Sequence, residues 1–219
     1  MADDQLTTIY FVRHGPTAWD KLKPRLITGA RDMQLLPEGE LMIEEVAKQL
    51  KSSRIKPQAI ISSSRQHVLQ SAKILLKELG SSLVNKEIIV FPEFDARNWG
   101  RFTGMSTQET FKSYPQERAR GCTRGFDDAP PEGETTRQVA SRVYAGLNQL
   151  KSQFPDGEVI VCGHAFVGRV INGILNKCLY TKSIWDPEDE GVNDDFFKFF
   201  LEPGKFVVFK IGELPKMSF

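Results

Sequence analysis

Cysteine is scarce in this chain of 219 residues: Cys122, Cys162 and Cys178, odd in number and widely spaced. That pattern supports no disulfide framework and matches no zinc-ligand spacing, so a reducing compartment is the simpler setting. Net charge is nearly absent too. The 29 Lys and Arg against 28 Asp and Glu leave +1, which supplies no broad basic face for nucleic acid; affinity for an anion has to come from a local site. No apolar stretch approaches the length of a membrane span. The opening Met1-Ala2-Asp3-Asp4-Gln5 lacks the apolar segment of a signal peptide. Repeats and low-complexity tracts are missing. The expectation is a cytoplasmic protein with neither nucleic acid nor membrane as partner.

There are only three histidines, and two of them directly follow β-branched apolar runs, Ile9 to Val12 before Arg13-His14-Gly15 and Val159 to Val161 before Cys162-Gly163-His164. Each run reads as a buried strand opening into a loop. Open α/β sheets bind ligands beyond the carboxyl ends of their strands. Two imidazoles and a guanidinium delivered to that edge point to a phosphate pocket containing a nucleophile. A neutral imidazole attacks phosphorus when an acceptor holds its other nitrogen. The planar fork of Arg13 suits two phosphate oxygens, and Gly15 is expected to let backbone N–H groups approach the anion.

The remaining chain reads as alternating strands and helices. A helix is expected from Pro37 to Ser52, a strand over 58–62, and a helix carrying Val68, Ala72, Leu75 and Leu79, capped by Ser63 or Ser64 and ended by Gly80. A strand over 87–90 follows. Residues 92–135, rich in proline and glycine, break the rhythm; with one short helix near Thr107 to Tyr114, they are expected to form an inserted cap over the site. Thr135 should lead a helix to about Phe154. Strand 158–162, a helix from about Phe166 to Cys178, and a closing hairpin of 196–201 with 206–211 complete the pattern. The order argues for a single domain over 1–219, a three-layer αβα sandwich with a mostly parallel central sheet.

In this setting the segment Phe11 to Thr17 with Trp19 resembles the signature of the histidine phosphatase superfamily, the phosphoglycerate mutase-like fold. The resemblance continues in order through Thr28-Gly29, Leu35-Leu36-Pro37-Glu38-Gly39, Ser62-Ser63 with Gln70-Ser71-Ala72, Gly100 with Gly104, Pro130 to Thr135, and Gly163-His164. It covers roughly residues 9 to 175. It implies phosphoryl transfer to His14, giving a phosphohistidine that water hydrolyses. Arg13 and His164 would stabilise the transferred group, with Gly15, Thr17, Thr28 and Gly29 around it. No metal or other cofactor is implied.

Three positions depart from the family pattern. Its second pocket arginine falls on His67, with Arg65 two residues earlier as a substitute. Its acid/base glutamate falls on Ala96, leaving Asp95, ranked first, or Glu134 as proton donor. Its asparagine after the first motif falls on Asp20. His67 can itself carry a proton beside a phosphate. Trp99 is a candidate wall of the pocket, and Arg118, Arg120 and Arg124 candidate contacts for an acidic substrate. The phenylalanines of 196–200 read as packing, the acidic run 186–195 as a solvated loop. The reading is a metal-independent phosphatase of a small phosphorylated metabolite. A phosphate-binding module with little turnover is the alternative. Less favoured are a mutase, which needs extra positive charge where Asp20, His67 and Ala96 move the other way, and a phosphoprotein phosphatase. The oligomeric state is left open, a homodimer included.

Overall fold

The fold, a computed structural model that describes residues 6–84, 86–120, 126–176, 196 and 199–215, is built on one five-stranded sheet. Its strands are β1 (Thr7–Arg13), β2 (Ala59–Ser62), β3 (Ile88–Val90), β4 (Glu158–Gly163) and β5 (Phe206–Ile211), in the order β3-β2-β4-β1-β5. All neighbours are parallel except β5, which runs antiparallel along β1.

Alternation along the strands sends side chains to two cores. Ile9, Phe11, Ala59, Ile61, Val159 and Val161 pack on one face against α5 (Thr136–Gln153) and α6 (Ala165–Leu175). Val12, Ile60, Ile160 and Cys162 pack on the other against α1 (Pro37–Ser52) and α2 (Gln66–Leu79). This is the expected α/β sandwich with a mostly parallel sheet: strands buried on both faces read as continuous apolar runs. Short helices α3 (Thr107–Ser113) and α4 (Pro115–Ala119) lie within 92–135, the second of them unanticipated. No described helix is long and apolar enough to cross a membrane.

Two local expectations are corrected. Neither Ser63 nor Ser64 caps α2; Arg65 is the cap residue, and the Gln66 N–H donates to Asp32 Oδ1 at 2.9 Å. Among the described residues the closing hairpin is not formed either. Residues 199–201 are not strand, and β5 pairs with β1. Long-range donors take the carbonyls that a partner strand would have taken: Arg169 Nε donates to Phe199 O at 3.1 Å and Arg13 Nη1 to Leu201 O at 2.7 Å. Phe196 is fully buried in the core. The acidic run 186–195 and Arg124 lie outside the described residues.

Candidate active site

Strands β2, β4 and β1 are parallel neighbours, so their carboxyl ends share one edge. The Arg13–Gly163 register brings the two Gly-His segments side by side, and the His14 N–H donates to Gly163 O at 3.2 Å. His164 follows β4 and caps α6. His67 comes from the first turn of α2, which leaves β2. The three rings meet edge to face, with centroids 4.5 Å apart for His14–His67, 5.4 Å for His14–His164 and 5.3 Å for His67–His164.

His14 Nδ1 lies 2.8 Å from Gly15 O. A carbonyl only accepts, so Nδ1 carries the hydrogen and Nε2 keeps its lone pair. His164 Nε2 lies 3.0 Å from Ser63 Oγ, while His67 Nδ1 is buried without a hydrogen-bond partner among the described residues. All three rings are held neutral. Burial, followed by the neighbouring His67, pulls His14 down to about 3; burial pulls His67 down to about 4; burial, then His14 and His67, sets His164 well below its ordinary value.

These depressions fix a direction for acid stability. Between pH 6.5 and about 4 the unfolded chain binds protons on rings that stay neutral in the folded protein, so stability falls as pH falls through that window. Each such histidine contributes a slope of up to about 1.4 kcal/mol per pH unit. His67→Gln is expected to flatten the stability–pH profile by about one histidine's slope. Guanidinium titrations at pH 7 and pH 5 measure it; an unchanged profile contradicts neutral burial of His67.

The histidines line a cavity of about 330 Å³ with Arg13, Thr17, Trp19, Asp20, Thr28, Gly29, Ala96 and Trp99 among its walls, a size suited to a small ligand. Burial draws Arg13 down to about 10, which leaves it charged at neutral pH; its Nε is buried without a partner among the described residues. Asp20 is the one carboxylate among the described lining residues. Burial opposes its charge, but hydrogen bonds from the Thr17 N–H at 2.7 Å and hydroxyl at 2.9 Å outweigh that and hold it below the usual carboxylate range. It stands 3.9 Å from Arg13 Nη2.

Several expected site residues lie elsewhere. Gly15 presents no N–H to the cavity; its N–H faces Ser71 Oγ at 3.4 Å, and its carbonyl holds His14. What requires glycine here is close approach: a Cβ on Gly15 would sit 2.5 Å from Gly39 O, a backbone atom. Gly15→Ala is therefore expected to destabilise by about 1–3 kcal/mol, read from the urea midpoint. Asp95 turns from the histidines to accept from Ser64 N at 2.7 Å and Oγ at 2.6 Å, and pairs with Arg65 at 3.3 Å. Glu134 is held in a fork by Arg142 at 2.9 and 3.0 Å. Asp95, Glu134 and Arg65 line an adjoining cavity that shares Ala96 with the first. Arg118 stacks on Phe111 at 3.9 Å and, with Arg120, is not part of the wall.

Sequence reasoning missed Arg25, Arg97 and Arg169, which also line the histidine cavity. Arg97 is buried, donating to Glu134 O at 3.0 and 2.8 Å and lying over Trp99 at 4.3 Å. Only Arg169 carried a signal: on a helix starting after His164 it falls three residues from Phe166, on the same face.

A model of the histidine phosphatase superfamily (branch 1) matches residues 9–183. A 2,3-bisphosphoglycerate-dependent phosphoglycerate mutase of Bartonella tribocorum is 28% identical over 137 residues, 63% of this chain and 65% of the relative, so the match spans just under two thirds of that protein. A phosphoglycerate mutase of Schizosaccharomyces pombe is 30% identical over 62% of each. Among solved structures, a mycobacterial glucosyl-3-phosphoglycerate phosphatase aligns with TM-score 0.70 at 18% identity, covering 93% of this chain and 89% of its own. The alpha-ribazole phosphatase of Shigella flexneri aligns with TM-score 0.72 at 14% identity, covering 94% and 95%. These structures share the fold.

Proposed function

Because the chain belongs to the histidine phosphatase superfamily, we propose that it hydrolyses a small phosphorylated metabolite through a phosphohistidine on His14, as a single domain in a reducing cytoplasm. The carrying observation is the Nδ1–H of His14 on its own neighbour's carbonyl, which leaves the Nε2 lone pair beside two further imidazoles. In the first step an Nε2–P bond forms as the bond from phosphorus to the leaving oxygen breaks. In the second, water attacks phosphorus, the P–N bond breaks and inorganic phosphate leaves.

Arg13, His67 and His164 hold the equatorial oxygens. An incoming dianion raises the affinity of His67 and His164 for protons, turning neutral rings into charged donors as charge arrives. The start of α6, immediately after His164, adds its own favourable dipole. Arg13, Arg25, Arg97 and Arg169 against Asp20 give the cavity wall more positive charge than one phosphate requires, so the metabolite carries a second anionic group, a carboxylate or another phosphate. This revises the charge objection to a mutase, since the missing cations come from arginines elsewhere in the chain.

The test is rapid acid-free quenching with ³²P-labelled aryl phosphate. Base-stable label on the protein, absent in His14→Ala, is expected, together with release of inorganic phosphate. Label without inorganic phosphate, discharged only by an added hydroxylic acceptor, supports a mutase. Equal behaviour of both proteins supports the second reading, a phospho-ligand binder. That reading is favoured by one observation: the cavity meets a methyl group at Ala96 while Asp95 and Glu134 are engaged elsewhere.

A further inference from the structure

We propose that the three converging imidazoles of His14, His67 and His164 also form a binding site for a borderline-soft divalent transition-metal ion, Zn²⁺ foremost. No spacing in the sequence announces it; the three residues are brought together by the shared edge of β1, β2 and β4. One ring nitrogen from each lies within 4.8 Å of one from each of the others, and all three residues are buried. A tetrahedral zinc ion about 2.1 Å from three imidazole nitrogens places the ring centroids about 5 Å apart. The observed triangle of 4.5, 5.4 and 5.3 Å brackets that value.

The surroundings match what zinc-bound imidazoles need. Metal-ligating histidines donate their other ring N–H to a carbonyl, carboxylate or similar acceptor, which fixes the ring. His14 already does so through Nδ1 to Gly15 O, and His164 has Ser63 Oγ against one nitrogen. His67 Nδ1 is buried with no hydrogen-bond partner among the described residues, so that ring has a nitrogen with no competing bond to break there. Three protein ligands leave the fourth position to the cavity, the arrangement of an open zinc site. Asp20 faces that cavity, and so do four arginines. The guanidiniums oppose a bare dication, which makes an anion, hydroxide or phosphate, the matching fourth ligand.

The consequence for turnover rests on the phosphohistidine reading above. The Nε2 lone pair of His14 cannot bind zinc and attack phosphorus at once, so zinc silences the nucleophile while phosphate still fits beside it. Imidazole ligands suit zinc, copper, iron and nickel, whereas magnesium prefers oxygen; magnesium is expected to leave both binding and activity unaffected.

The test uses the full chain stripped of metal. Competition with a chromophoric chelator is expected to show one Zn²⁺ per chain, weakened more than about 100-fold in His67→Gln and in His164→Gln, beyond the 10- to 100-fold of losing a supporting partner. X-ray absorption of the zinc-loaded wild-type chain, which needs no variant to fold, is expected to count three imidazoles. Fewer than three, or variants that keep the wild-type affinity, overturns the proposal. Three imidazoles around zinc in a chain that forms no phosphohistidine sustains this site and removes the phosphatase reading; phosphohistidine formation with no stoichiometric zinc does the reverse.

Discussion

Ala96→Glu is expected to raise hydrolysis of alkyl phosphates while leaving aryl phosphates nearly unchanged. Among the described residues the cavity offers no group free to protonate the departing oxygen: Asp20 is held ionised by Thr17, the imidazoles are neutral before phosphate arrives and are committed to its equatorial oxygens once they gain a proton, and position 96 presents only a methyl group. A phenolate departs unaided; an alkoxide does not. A positioned general acid is worth about 10²- to 10⁴-fold, so the wild-type chain should favour aryl over alkyl esters by roughly that factor beyond their intrinsic difference. The substitution places a carboxyl group in the histidine cavity and should recover about 10-fold or more of the alkyl rate, since an engineered acid reproduces only part of the full general-acid effect. Plotting kcat/KM against leaving-group pKa measures it. A plot equally steep for both proteins means that the proton is supplied from elsewhere, with His67 the first group to examine.

Arg13→Ala should lower kcat/KM about 10- to 150-fold, the value of a charged hydrogen bond worth roughly 1.5–3 kcal/mol. Arg13→Lys should recover little of it. Lysine restores a charge but not the planar fork, and the fork has two duties here. One nitrogen, Nη1, ties down Leu201 O, while Nε is buried without a partner among the described residues. The same variants should therefore loosen 199–201, where Phe200 walls the cavity. Steady-state kinetics with an aryl phosphate, beside inorganic phosphate dissociation constants, separates the roles. Full activity in Arg13→Lys would mean that charge alone matters.

The sheet and the pair Arg13-His14 with His164 were legible because each lies on or directly after an apolar run, and strand direction then carries it to the edge. The superfamily resemblance was legible for the same reason, its blocks being short and in order. What escaped depends on contacts between distant residues. Asp95 and Ala96 are adjacent, yet which of them faces the histidines is set by Arg142, which gathers the carbonyls of Glu93, Asp95 and Ala96 at 2.8, 2.7 and 3.3 Å. The α2 cap escaped because its acceptor, Asp32, is remote in sequence. The run 196–201 has strand-like composition, but Arg169 and Arg13 claim the carbonyls of Phe199 and Leu201. His67 was singled out as an altered ligand, while its edge-to-face packing with both other rings had no signal in one dimension.

The antiparallel neighbour of β1 is β5, drawn from residues 206–211, and the Gly204 N–H reaches back to the carbonyls of Arg13 and His14 at 3.2 and 3.1 Å. The segment holding His14 is thus completed by a strand that follows every other strand of the sheet in sequence. Pairings so distant in sequence form slowly because a long loop must close first. A growing chain therefore carries His14 without the frame that orients it until β5 has been made and has found β1.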